Sequence, residues 1–149
     1  MKNIVITGST RGIGYAMAKE FLRKGCNVTF SGRHQNGLDT LREDLKDHQE
    51  QILYVPSNVQ DPIQLEHLYD ESEKHWGSVD CWINNAGQNV PHKVIHETVN
   101  LSTAAVINTN ILGMIYGSQI AARRMLKQGH GQIWNMEGLG SNNMIQVKT

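Results

Sequence analysis

Gly8, Gly12 and Gly14 fall at G-x3-G-x-G spacing within Gly8-Ser9-Thr10-Arg11-Gly12-Ile13-Gly14. That pattern can hold a dinucleotide diphosphate on backbone N–H groups at a helix N-terminus. Gly8 permits a tight exit from a strand, Gly12 lets phosphates approach the backbone, and Gly14 lets the helix pack closely on the strand. A glycine cluster by itself also suits a plain turn. What favours the cradle is its place between Ile4-Val5-Ile6 and an amphipathic helix. About 20 residues beyond such a loop, Asp or Glu reaches a ribose 2′-hydroxyl, whereas Arg accommodates a 2′-phosphate. Here the second apolar run ends Phe30-Ser31-Gly32-Arg33, with no carboxylate from there until Asp39, and Arg11 offers a second cation. The implied cofactor is NADP(H) rather than NAD(H), favoured ten-fold or more at about 1.5 to 3 kcal/mol per charged hydrogen bond. Two solvated surface arginines are the alternative.

The elements that must position this loop alternate along the chain. Ile4-Val5-Ile6 is a β-branched run suited to a strand buried on both faces. A helix from Gly12 to Lys24 carries Ile13, Ala16, Met17, Phe21 and Leu22, with Gly25 beyond it. Asn27 to Ser31 reads as a second strand, and Asn36 to Gln49, with Leu38, Leu41 and Leu45 on one stripe, as a surface helix. Ile52-Leu53-Tyr54-Val55 is a third strand, and Asp61-Pro62 opens a helix that runs to about Trp76. Val79 to Ile83 is a fourth strand, a helical region spans about Ser102 to Lys127, and Gln132 to Met136 is a fifth strand. Strand and helix alternating with short connections predict an α/β fold, a doubly wound parallel sheet in three layers with helices on both faces. With no repeat, low-complexity tract or linker, residues 1–149 read as a single domain.

Composition narrows the function. Fourteen Lys and Arg balance fourteen Asp and Glu, which argues against nucleic acid as a partner and against a polybasic membrane surface. No uncharged apolar run approaches the roughly 18 residues of a membrane span, and Gly8 interrupts the start before a signal-peptide core could form. The expected location is cytoplasmic. Cys26 and Cys81 lack CxxC spacing and read as buried thiols. His92-x-x-x-His96 has the spacing of a helical metal pair but lacks the glutamate of H-E-x-x-H and follows Pro91, so solvated histidines and no metal are expected. Gly113-x-x-x-Gly117 sits in a helix that also holds Gln119, Arg123 and Arg124, which favours close packing in a soluble core or dimer face over a membrane contact.

Thr7-Gly8-x-x-x-Gly12-x-Gly14, followed by Asn84-Asn85-Ala86-Gly87 after the fourth strand and Asn110 in the next helix, resembles the short-chain dehydrogenase/reductase family from Lys2 to about Ser141. The resemblance implies a Rossmann-type sheet, a nicotinamide cofactor, and hydride transfer between its C4 and the carbon of a small carbonyl or alcohol substrate. It implies that Gly8, Gly12 and Gly14 line the diphosphate with Ser9, Arg11 and Ile13 beside them, and that Arg33 faces the adenosine phosphate. Asn58 stands where many members carry an Asp touching adenine, and an amide can still accept the amino-group hydrogen bond. Asn85, Ala86 and Gly87 would pass under the adenosine ribose and steady the central strands, though Asn84-Asn85 alone also suits a plain turn. Asn110 corresponds to the family's active-site Asn, which helps hold a water and the catalytic lysine in a proton relay. Read from the residues alone, an Asn amid Val106, Ile107, Ile111, Met114 and Ile115 is an interior polar group whose partners core structure could also supply.

The chain departs from the family where its proton chemistry belongs. That chemistry needs a Tyr, a Lys four residues later, and a Ser for the substrate oxygen. Tyr15-x-x-x-Lys19 is the only such pair, and it lies on the first helix, where it cannot face a nicotinamide. The family's pair lies on a further helix beyond the fifth strand, and this sequence reaches Thr149 before one. The expectation is therefore a truncated, inactive cofactor-binding portion lacking the catalytic helix and two C-terminal strands, with its fifth strand an exposed pairing edge. In Asn135-Met136-Glu137-Gly138-Leu139-Gly140-Ser141, Gly138 takes the usual catalytic Ser position; Ser141 could serve instead or be an ordinary loop serine. Gln132-Ile133-Trp134-Asn135-Met136-Glu137-Gly138, with Thr109-Asn110-Ile111-Leu112-Gly113, is similar to the chlorophyll(ide) b reductase branch, which reduces a formyl group with NADPH. A non-catalytic dinucleotide-binding or partner-binding module is the competing reading. Members often dimerise through this helix and the next, so a homo-oligomer stays open.

Overall fold

The computed structural model describes residues 1–34, 45–89 and 94–138. Within them, five parallel strands form one sheet in the order β3-β2-β1-β4-β5: β1 Asn3–Ile6, β2 Asn27–Gly32, β3 Ile52–Pro56, β4 Cys81–Asn84 and β5 Gln132–Asn135. Helix α1 (Gly12–Arg23) links β1 to β2, and α2 (Pro62–Trp76) links β3 to β4. Between β4 and β5 run α3 (Asn100–Ile107), a single π-helical turn (Asn108–Leu112) and α4 (Gly113–Gln128).

The period-2 alternation of β1 builds two cores at once. Ile4 and Ile6 pack with Val28, Phe30, Cys81 and Ile83 against Ala18 and Leu22 of α1. Val5 points the other way, into a layer with Trp82, Leu65, Leu68 and Tyr69 of α2, and Ile120, Ala121 and Met125 of α4. Trp82 and Tyr69 stack with centroids 5.8 Å apart. Each large apolar side chain buried this way contributes about 1.5–3 kcal/mol. The result is the three-layer doubly wound sheet expected from the sequence. Asp61 caps α2 as its position suggested, accepting from the Ile63 N–H at 2.9 Å, with Pro62 in the first turn.

The glycine pair of α4 packs closely on the core of its own chain. A Cβ on Gly117 would lie 2.2 Å from Asn84 Oδ1, and one on Gly113 would lie 2.7 Å from Val59 Cγ2. Arg124 ties α4 to α2 through Asp70 at 2.8 Å and through Glu73, with its guanidinium over the Tyr69 ring. Cys81 is buried, which pushes its thiol up to about 11, with Lys2 opposing the shift and Asp80 and Cys26 adding to it. Cys26 is only half-buried. Among the described residues no helix is long and apolar enough to cross a membrane, and no group of three His, Cys, Asp or Glu could hold a metal ion.

Two elements add detail to the sequence reading. Most of the helix expected over 36–49 lies outside the described residues; its described end is a short 3₁₀ segment, Lys46–Gln51, leading into β3. Only Leu45 of the proposed stripe lies within the described residues, and the charged run after it has no apolar stripe to hold an α-helix against the sheet. The helical region expected from about Ser102 to Lys127 is present as a continuous helical run over 100–128, with a π turn at Asn108–Leu112 inside it that the sequence reading did not foresee.

Candidate functional site

The chain passes from β1 through β2 to β3 on one side of the sheet, then returns to build β4 and β5 on the other. The strand order reverses between β1 and β4, and in open α/β sheets ligands bind outside the carboxyl ends of the strands at such a point. A crevice of about 580 Å³ lies there, within the range of small-molecule and cofactor sites.

Thr7 holds the crevice together. Its Oγ1 accepts from the N–H groups of Asn85 at 3.0 Å and Ala86 at 3.1 Å. Asn85 answers by donating from Nδ2 to the carbonyls of Thr7 at 3.0 Å and Gly8 at 2.9 Å. Asn85 therefore clamps the loop after β1 to the loop after β4, which a plain turn would not do. The glycines are what let the two backbones come this close. Gly8 has φ +63, and a Cβ there would sit 2.7 Å from Ala86 Cα; a Cβ on Gly14 would sit 2.3 Å from Asn85 Nδ2. Gly12, with φ +60, has no atom within 4 Å of where its Cβ would be, so its backbone faces open space in the crevice. Arg11, at the N-cap of α1, makes no side-chain cap, and the first turn of α1 holds no acidic residue. Free N–H groups and the positive end of a helix dipole are thus presented to the crevice, the arrangement that binds anions.

Gly8, Arg11, Gly12, Ile13, Gly14, Arg33, Asn58, Asn85, Ala86 and Gly87 all line this crevice. Ser9 does not. Its hydroxyl donates to the Ile6 carbonyl at 2.8 Å and accepts from the Ser31 N–H at 3.0 Å, while its own N–H goes to Ser31 O. Ser9 is buried just beyond the end of β1, bonded to Ser31 of β2, so its polar groups are spent on the strands rather than offered to a phosphate. The Oδ1 of Asn58 accepts from the Gln60 N–H at 3.1 Å, which leaves one of its lone pairs for a ligand. Arg11 and Arg33 are exposed cations on the rim. Among the described residues no Asp, Glu, Tyr or Lys lines the crevice, and His34 joins the two arginines.

Asn110 sits in the π turn, at the surface rather than inside. Its side chain grips the backbone of Gln88, with Oδ1 accepting from the N–H and Nδ2 donating to the carbonyl, both at 2.9 Å. The apolar neighbours expected to enclose it include Ile107, Ile111 and Ile115, all substantially exposed, because nothing among the described residues covers that face of the helix. A π turn inserts an extra residue and re-aims the side chains beyond it. Asn84, one position before Asn85, is a core residue: it accepts from Trp82 Nε1 at 2.7 Å and donates to Asn135 Oδ1 at 2.8 Å. Tyr15 and Lys19 stay away from the crevice, the tyrosine ring 6.5 Å from that of Phe30 and the ammonium over the tyrosine. Gly138 is exposed, and Ser141 lies outside the described residues.

Sequence reasoning missed Thr7 as a positioning residue, and it missed Thr10, Gly32, His34, Ser57, Val59, Gln88 and Thr109 as crevice residues. Thr109 could have been found from its neighbour Asn110; its hydroxyl accepts from Gln60 Nε2 at 2.8 Å. Thr7→Val keeps the volume but strands two backbone N–H groups. Its expected cost is about 2 to 4 kcal/mol in a denaturant melt, since each orphaned group costs about 1 to 3 kcal/mol.

A parallel sheet with a glycine-lined anion cradle at its switch point defines a dinucleotide-binding α/β protein of Rossmann type. Residues 2–147 match the short chain dehydrogenase family, and the chain belongs to it. It is 37% identical over 143 residues to chlorophyll(ide) b reductase NOL of Arabidopsis thaliana, an alignment covering 94% of this chain and 41% of that protein. Against the probable chlorophyll(ide) b reductase NYC1 of the same plant it is 32% identical over 158 residues, covering 94% of this chain and 32% of the other. The chain thus spans less than half the length of these reductases. Among solved structures, ElxO with NADP bound superposes with a TM-score of 0.87 at 30% identity, covering 93% of this chain and 56% of that one.

Proposed function

We propose that this chain holds NADP(H) in the crevice at the switch point and is the coenzyme-binding portion of a reductase acting on a small carbonyl or alcohol substrate. The observation that carries this reading is the open backbone at Gly12, on an uncapped helix N-terminus flanked by Arg11 and Arg33, in a crevice without carboxylates among its described lining residues. A ribose 2′-hydroxyl would call for an acidic partner there; a 2′-phosphate calls for the arginines. When bound, the coenzyme supplies or receives a hydride. The chain's own residues do the rest: α1 and Gly12 hold the diphosphate, Arg33 and Arg11 hold the extra phosphate, and Asn58 meets the base. Asn110 fixes the Gln88 backbone at the opposite end of the crevice. The likeness to the chlorophyll(ide) b reductases supports placing the chain near that branch, and ElxO with NADP supports the choice of coenzyme. No tyrosine or lysine lines the crevice among the described residues, so this chain is expected to bind the coenzyme without turning it over. Fluorescence titration with NADPH and NADH tests the reading. NADPH is expected to bind at least ten-fold tighter, as two charge-assisted contacts imply; equal affinity, or preference for NADH, overturns it.

A further inference from the structure

Ser57 follows β3 directly, and its N–H donates to the Gly32 carbonyl at 2.9 Å, which fixes it across the ends of β2 and β3. The residue is 3% exposed and lines the crevice, yet its hydroxyl has no hydrogen-bond partner. A hydroxyl can donate once and accept twice, and leaving a buried one unmet costs about 1 to 3 kcal/mol. Several other buried hydroxyls near the strands are paired, among them Thr7 and Ser9 as described, and Thr29 with Ser72 at 2.8 Å, whereas those of Ser31 and Tyr69 are not. Ser57 stands between Gly32-Arg33 and Asn58, in the half of the crevice that an arginine after the second strand marks as the nucleoside side. Ser31, which also carries an orphaned hydroxyl at this end of the sheet, does not line the crevice.

Resting on the coenzyme reading above, we propose that Ser57 is a specificity residue for the adenosine half of the coenzyme, where rotation about its Cα–Cβ bond brings the hydroxyl, enclosed and unpaired in the free protein, into hydrogen-bond reach of the ligand. The test compares Ser57→Ala with Ser31→Ala in calorimetric titrations with NADPH and with adenosine 2′,5′-bisphosphate, which lacks the nicotinamide half. Thermal midpoints of the free proteins are measured alongside. Ser57→Ala should weaken both ligands to the same extent, about five- to ten-fold, the worth of one hydrogen bond. Its midpoint should not fall, and Ser31→Ala should leave both affinities unchanged. Unchanged affinity in Ser57→Ala, or an equal loss in Ser31→Ala, overturns the assignment while leaving the coenzyme reading intact. A wild-type chain that binds neither ligand removes both.

Discussion

Gly8→Ala is expected to cost the fold about 3 kcal/mol or more, enough to unfold a large fraction of a domain whose total stability is about 5 to 15 kcal/mol. Two penalties coincide at this residue. Its φ of +63 is a conformation that costs an L-residue about 1 to 2 kcal/mol, and the added Cβ would meet Ala86 Cα at 2.7 Å. The obstacle is backbone, held in place by Thr7 and Asn85, so no side-chain rotation relieves it, and overpacking of this kind adds about 1 to 3 kcal/mol. Gly12→Ala is the informative partner. Its φ is nearly the same, but nothing lies within 4 Å of the new Cβ, so only the conformational penalty applies. That variant should fold, with a modestly lowered denaturation midpoint, and should lose at least ten-fold in NADPH affinity because the methyl stands where the diphosphate must approach. If Gly8→Ala melts like wild type, the close seam between the two loops is wrong; if Gly12→Ala binds NADPH normally, the cradle is.

The second large effect concerns coenzyme choice. Arg33→Asp is expected to raise the dissociation constant for NADPH about 100-fold and to tighten NADH, reversing the preference. Removing a charge-assisted contact costs about 1.5 to 3 kcal/mol, and the new carboxylate adds repulsion toward a phosphate while offering an acceptor to a 2′-hydroxyl. Arg33 is exposed, so the difference between wild type and variant should shrink as salt is raised. Paired titrations at low and high ionic strength check both points. Equal weakening of NADPH and NADH would show that Arg33 acts on packing and not on the phosphate.

Much of this architecture is readable before any coordinates. Short β-branched and apolar runs such as Ile4-Val5-Ile6 can be buried on both faces only in a covered parallel sheet, and the amphipathic helices between them leave few topologies. The glycine spacing likewise announces the cradle. What stays hidden is direction. Ser9 and Ser57 are the same residue type near the same crevice, but the hydroxyl of one is paired with the strands and that of the other is not, and only backbone geometry decides which. The π turn leaves no periodic mark, so the sequence puts Asn110 inside an apolar face, whereas the extra residue brings it to the surface beside Gln88. Thr7 opens the glycine motif, but its positioning role is not legible there, because it comes from two amides far along the chain.

That distance has a bearing on biosynthesis. The amides that anchor the first loop to the other half of the sheet lie 78 and 79 residues downstream of Thr7, so a growing polypeptide leaves the ribosome with its glycine turn held to the second strand through Ser9 and Ser31 but lacking its second anchor until the fourth strand has emerged. Contacts of such long sequence separation form late and slowly. The nascent amino-terminal half is therefore a poor trap for nucleotides, and affinity should switch on only when the second half docks.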